Sequence, residues 1–194
     1  LVKQASEYLG EKMPVCTVIG FPNGYNTTAV KVFETKEALK DGAEEIDMVI
    51  NIGWVKMGQY DKILEEINAL KEVCGDHILK VILECCLLTE AEKIKLCEIV
   101  TESGADFIKT STGKGYPGAT FEAAYTMCKA IKTYHSITGN KVGIKISGGV
   151  RTAEDAVRYY TIVKEILGNE WLNKDLFRIG ASSLVGDIEK RLGK

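Results

Sequence analysis

The sequence predicts an α/β protein of the TIM, or (β/α)8, barrel class, with six βα units visible in the chain. Three observations predict it. Short strand-like runs start near 15, 46, 79, 106, 142 and 177, separated by helical patterns at about the spacing of one βαβ unit. The runs are apolar on both sides, as in a parallel sheet covered by helices. The last two runs lead into the small-residue loops Ser147-Gly148-Gly149-Val150 and Gly180-Ala181-Ser182-Ser183, where a barrel keeps its phosphate site. The rival architecture, a doubly wound open sheet, expects a glycine fingerprint after its first strand. Gly20-Phe21-Pro22-Asn23-Gly24 is not G-x-G-x-x-G.

Each element has its own signal. Residues 1–10 read as the tail of a helix closed by Gly10. Val15–Ile19 is a β-branched strand, ended by the loop 20–24. Asn26 or Thr27 caps a helix with Val30, Phe33, Ala38 and Leu39 on one side, ending near Gly42. Glu45–Asn51 is the next strand, and Tyr60–Val73 a helix with Ile63, Ile67 and Leu70 at helical spacing. Leu79–Glu84 is a strand, and Thr89-Glu90-Ala91-Glu92 is a capping box opening a helix to Gly104. A strand over 106–110, a loop through Gly118, and a helix from Thr120 to about Ile137 follow. Lys141–Ser147 is a strand, Thr152 caps a helix ending at Gly168, and Leu176–Gly180 is the last strand before a helix from Ser182 or Ser183.

No linker or composition break divides the 194 residues, so residues 1–194 read as one domain. A hydrophobic content of 45% suffices for one sizeable core, and a net charge of -2 without a basic block argues against nucleic acid or an anionic membrane as partner. No apolar run approaches membrane-spanning length, and the first residues do not form a signal peptide. Six cysteines without a C-x-x-C pair read as buried free thiols of a cytoplasmic protein. Two histidines, His77 and His135, supply neither a His-based metal site nor a Ser-His-Asp triad well; no metal and no cofactor is expected.

Polar residues inside strands carry the chemistry. In EIDMVIN, Asp47 and Asn51 share one parity and point the same way. In DFIKT the exception is Lys109, and in KVGIKIS it is Lys145. If all three face a barrel interior, a carboxylate and two ammonium groups meet near its carboxyl-terminal mouth. The bland alternative is a buried salt bridge of Asp47 with one lysine, which leaves a second cation over. That cation is useful, because a nucleophilic amine must fall from ~10.4 to roughly 7–8 to be neutral near pH 7. The shift is worth about 4 kcal/mol. A second ammonium ~5 Å away at an effective dielectric of ~20 supplies roughly 3 kcal/mol, and desolvation can supply the rest. A Schiff-base lysine, a cationic neighbour and a carboxylate proton carrier therefore form a coherent set.

The motifs DMVIN, FIKTSTG, KISGGVR and the closing GASS, with CTVIGFPNGYNTT and VILECCLLT, resemble the deoxyribose-phosphate aldolase family over essentially the whole chain. The resemblance implies a metal-free class I aldolase on a TIM barrel. Such an enzyme interconverts 2-deoxy-D-ribose 5-phosphate with acetaldehyde and glyceraldehyde 3-phosphate, in deoxyribonucleotide catabolism. By position it implies Lys109 as Schiff-base lysine, Lys145 as its neighbour and Asp47 as the acid/base carboxylate working through water. It also implies phosphate-binding loops at Gly113 and Lys114, at Gly148 and Gly149, and at Gly180, Ser182 and Ser183. The expected partners are a sugar phosphate and an aldehyde, with a homo-oligomer left open. The family's barrel opens with two further βα units, so the chain is expected to be N-terminally incomplete by roughly 50 residues of a ~250-residue barrel.

Other readings stay open beside this one. An incomplete barrel could bind sugar phosphates without turnover. An epimerase on a phosphate-binding barrel is a third reading, disfavoured by the paired lysines. Ser111-Thr112-Gly113-Lys114 matches S-x-x-K without its companion motifs, and Gly113-Lys114-Gly115 is not a P-loop. Lys114 lies either in a flexible turn or against phosphate. Glu84 is either a further site acid or the structural partner of a lysine. The glycines at 148, 149 and 180 either make tight turns or, at helix starts, bind an anion with free backbone N–H groups.

Overall fold

Helices begin where the sequence supplies caps. In this computed structural model, which describes residues 1–115 and 117–193, Thr27, Thr120 and Thr152 each accept a backbone N–H three residues on. Each cap is worth about 1 kcal/mol. The capping box forms in full: Glu92 accepts from the Thr89 N–H at 2.7 Å, and Thr89 Oγ1 accepts from the Glu92 N–H at 3.3 Å. The elements run α1 (Val2–Leu9), β1 (Cys16–Ile19), α2 (Thr28–Lys40), β2 (Glu45–Val49), α3 (Ile52–Lys56), α4 (Tyr60–Cys74) and β3 (Ile78–Ile82). They continue with α5 (Glu90–Glu102), β4 (Phe107–Lys109), α6 (Phe121–Thr138), β5 (Gly143–Ser147), α7 (Ala153–Leu167), β6 (Phe177–Gly180) and α8 (Leu184–Arg191). All six expected strands are present, each followed by a helix.

The chain forms two compact units, Leu1–Ile82 with Ile99–Phe107, and Leu83–Glu98 with Ile108–Lys194. In the first, β1, β2 and β3 pair in chain order and in parallel, with Val18 opposite Asp47 and Asp47 opposite Lys80. Ile63, Ile67 and Leu70 of α4 are buried with Ile46, Met48 and Leu79 of the strands, as the helical spacing requires. In the second, β5 and β6 pair in parallel with Lys145 opposite Arg178 and Ser147 opposite Gly180. The Thr110 N–H donates to the Lys145 carbonyl at 3.1 Å, and α6 buries Ala124, Met127, Cys128 and Ile131.

Two elements depart from the sequence reading. Asn51 does not extend β2. It caps α3, where its Oδ1 accepts from the Trp54 N–H at 3.3 Å, so its parity with Asp47 carries no meaning. Helix α2 turns a different face inward: Val30 and Phe33 are exposed, while Lys31, Thr35 and Ala38 are buried. The reason is an ion pair that hydropathy cannot see. The Lys31 Nζ donates to Glu66 and to the Val49 carbonyl, both at 2.8 Å, with both charged side chains wholly out of solvent. Burial pulls the Lys31 ammonium down and pushes the Glu66 carboxyl up, each against the attraction of its partner.

Such a pair is costly to break and cheap to replace. Glu66→Ala is expected to lose about 3–5 kcal/mol in chemical denaturation, whereas Lys31→Met with Glu66→Leu recovers most of it. A double variant no more stable than the single one would show that the pair is worth more than the apolar packing replacing it.

Candidate functional site

The site of the second unit is built where β4 and β5 end together. Thr110 Oγ1 donates to the Ser147 carbonyl and accepts the Ser147 N–H, each at 3.0 Å, and Ser147 Oγ donates to the Ser111 carbonyl at 2.6 Å. These bonds clamp the two strand ends side by side. Lys109, one residue before Thr110, and Lys145, two residues before Ser147, open into the same cavity of about 430 Å³. A side chain at Gly180 would crowd Lys145, because its Cβ would stand 3.4 Å from the Lys145 Cε and 3.0 Å from the Ser147 Cβ.

The same cavity collects the loops that the sequence singled out. Gly113 and Lys114 line it, as do Gly148 and Gly149, and Gly180, Ser182 and Ser183. Two further lining residues escaped the sequence reading, Thr112 and Arg151. Arg151 follows Gly-Gly-Val directly, and a basic residue so placed was the available signal. Lys109, Lys114, Lys145 and Arg151 make the lining basic, with no carboxylate among its described residues. Such a cavity suits an anionic ligand.

Loop geometry depends on close backbone approach. The Ala119 N–H donates to the Gly148 carbonyl at 2.8 Å, and a Cβ at Gly118 would meet that carbonyl oxygen at 2.3 Å. Gly148 itself has a φ of 92°, open to glycine and strained for other residues. The two helix starts differ, although the sequence treated them alike. At α7, Thr152 takes the Asp155 N–H and Asp187 takes the Ala153 N–H at 2.7 Å, so that terminus is spent inside the protein. Ser183, before α8, makes no such side-chain cap.

Asp47 belongs to the first unit. Its Oδ1 lies 3.1 Å from the Lys80 Nζ, which also meets Glu45 at 2.6 Å. The Cys16 thiol donates to the same Asp47 oxygen at 3.2 Å. Burial lowers the Lys80 pKa, but Asp47, Cys16 and Glu45 outweigh it and hold the ammonium above its ordinary value. The bland alternative of a salt bridge is thus present, with a third lysine that the sequence reading passed over. Its signal was the alternation of ILKVI, which sets Lys80 opposite Asp47.

Glu84 pairs with no lysine among the described residues. Its carboxylate accepts from the Thr112 backbone N–H at 3.3 Å and from the Thr112 hydroxyl. Five thiols are raised by burial: the core groups Cys74 to about 11, Cys85 and Cys128 to about 12, and Cys97 well above its ordinary value, and the half-buried Cys86 beside Glu84. Among the described residues no three His, Cys, Asp or Glu stand together as a metal site, and no helix is long and apolar enough to cross a membrane.

The profile of the DeoC/LacD family of aldolases matches residues 1–183. The chain belongs to that family. The DeoC/LacD fold is shared with an aldolase called QR15, 36% identical, at a TM-score of 0.82 over 98% of this chain and 79% of that one. The tetrameric deoxyribose phosphate aldolase of Aeropyrum pernix is 25% identical, at 0.75 over all of this chain and 73% of that one. Among curated DeoC/LacD relatives, the deoxyribose-phosphate aldolase of Streptococcus agalactiae serotype Ia is 52% identical over 173 residues. The match covers 89% of this chain and 74% of that protein. The deoxyribose-phosphate aldolase of Streptococcus pyogenes serotype M4 gives the same figures. The family expected from the motifs is the family found.

Gly118→Ala is expected to push Gly148 aside, costing roughly 1–3 kcal/mol in denaturant unfolding. An unchanged unfolding midpoint would mean that the two loops part without penalty.

Proposed function

We propose that the chain is a Schiff-base aldolase that cleaves 2-deoxy-D-ribose 5-phosphate to acetaldehyde and glyceraldehyde 3-phosphate, reversibly. The observation that carries this reading is the sharing of one cationic cavity by Lys109, Lys145 and the glycine and serine loops. The relatives named above support the substrate.

In this reading the neutral Lys109 amine adds to the aldehyde carbon of the open-chain sugar, and loss of water gives an iminium. A base removes the proton of the C3 hydroxyl, the C2–C3 bond breaks, and its electron pair moves to the iminium nitrogen. Glyceraldehyde 3-phosphate leaves, and an enamine remains. The enamine takes a proton on carbon, and water releases acetaldehyde and restores the amine. Lys145 is the cation that keeps Lys109 deprotonated, and Asp47 is assigned proton transfer on the strength of the DMVIN motif. Gly113, Lys114, Gly148, Gly149, Gly180, Ser182 and Ser183 are the proposed phosphate contacts, the open α8 start contributing backbone N–H groups. The strand–helix alternation and parallel pairing support a (β/α)8-type fold, and the six free cysteines a cytoplasmic setting. The tetrameric relative supports a homo-oligomer.

Borohydride with acetaldehyde is expected to trap a covalent adduct on Lys109, and Lys109→Ala to abolish it. Lys145→Leu removes the repulsion that drives the proton off Lys109. The amine then stays protonated to higher pH, and the activity profile shifts alkaline. An adduct on Lys145 would reverse the two roles. No adduct, with phosphate binding retained, would make the protein a sugar-phosphate binder.

Ser182→Asp sets a negative charge against the phosphate and is expected to raise KM at least tenfold more for the phosphorylated sugar than for deoxyribose, worth about 1.4 kcal/mol. Equal losses for the two sugars would move the phosphate elsewhere.

A further inference from the structure

The turn after β3 is held in a conformation its residue does not favour. Glu84 has a φ of 53°, in the left-handed region, and is the only residue other than glycine there among the described residues. Its side chain is also 95% out of solvent (5% exposed) and forms no ion pair among the described residues. A strained backbone carrying a buried carboxylate usually serves something nearby.

What it serves is the loop after Lys109. The Leu83 N–H donates to the Lys109 carbonyl at 3.0 Å and the Cys85 N–H to the Thr110 carbonyl at 2.9 Å, so Glu84 lies between two anchors on the nucleophile's strand. Its carboxylate receives both the N–H and the O–H of Thr112. The Lys114 N–H in turn donates to Thr112 Oγ1 at 3.0 Å. Gly115 closes over the group, since a Cβ there would stand 2.9 Å from the Cys86 Sγ and 3.3 Å from the Glu84 Cδ. The Cys86 thiol lies 3.8 Å from Glu84 Oε1.

The hydrogen count then decides what Thr112 can offer the cavity it lines. A hydroxyl has one proton and two lone pairs. A carboxylate only accepts, so the Thr112 proton is committed to Glu84. One lone pair takes the Lys114 N–H, and one remains. Toward the cavity Thr112 is an acceptor only. It can accept a hydrogen bond from a hydroxyl but cannot donate one to a carbonyl or phosphate oxygen.

We infer that Glu84 is a positioning residue that fixes Thr112 as an acceptor for a substrate hydroxyl, and so selects aldehydes carrying a hydroxyl beside the carbonyl over those without one. The inference rests on the aldolase reading of the cavity. Glu84→Gln replaces an obligate acceptor by a group with a donor end, which can meet Thr112 Oγ1 and turn the hydroxyl proton toward the cavity.

The test compares 2-hydroxypropanal with propanal as acceptors for acetaldehyde, two aldehydes that differ by one hydroxyl. The ratio of their kcat/KM values is expected to fall about tenfold in Glu84→Gln and in Thr112→Val, and to be kept in Thr112→Ser. The double variant is expected to lose no more than either single one. Borohydride trapping on Lys109 is read in the same preparations. Trapping intact with an unchanged ratio in Glu84→Gln overturns the inference and spares the aldolase reading. Absence of trapping in the unaltered protein overturns the aldolase reading instead. If Glu84→Gln does not fold, Thr112→Val decides: an undiminished ratio there overturns the inference.

Discussion

Basic side chains brought to one cavity by the joined ends of β4 and β5 are the constraint around which the second unit is built. Lys109, Lys114, Lys145 and Arg151 line a space with no acid among its described lining residues. A lining of such basic groups suits an anionic ligand. The fold supplies the rigidity that keeps them from moving apart. Thr110 and Ser147 lock the two strand ends with hydrogen bonds that leave neither lysine's backbone free to retreat.

The first unit buries ammonium groups of its own. Lys31 meets Glu66, and Lys80 meets Glu45 and Asp47, so each buried ammonium there has a carboxylate in contact. These cations are neutralised by the protein itself. In the second unit Lys109, Lys114, Lys145 and Arg151 instead line one cavity.

Strand positions and helix starts were legible because their signals are local: β-branched runs, threonine caps and a capping box. The lysines of the cavity were legible because a cation in an apolar strand is conspicuous. Other features needed the third dimension. Lys31 sits in an ordinary helical stretch, and only Glu66, 35 residues on, makes it an inward residue while Val30 and Phe33 go to the surface. Asn51 has the right parity for a strand but is taken by the start of α3. The Gly148 and Ser183 loops look alike as sequence, and a carboxylate from α8, Asp187, closes the helix behind one of them. Glu84 gave no sign of a left-handed backbone, because glutamate has no preference for one.

That last position sets stability against selectivity. A glycine would accept the backbone of residue 84 without strain, so Glu84→Gly offers a route to a sturdier protein. The same exchange removes the carboxylate to which the Thr112 hydroxyl donates and leaves the loop after Lys109 untethered. Screens that reward heat resistance would therefore drift toward glycine here, and screens that reward discrimination between aldehydes would drift back. The glutamate marks a site where a chain selected for chemistry can be told apart from one selected only to stay folded.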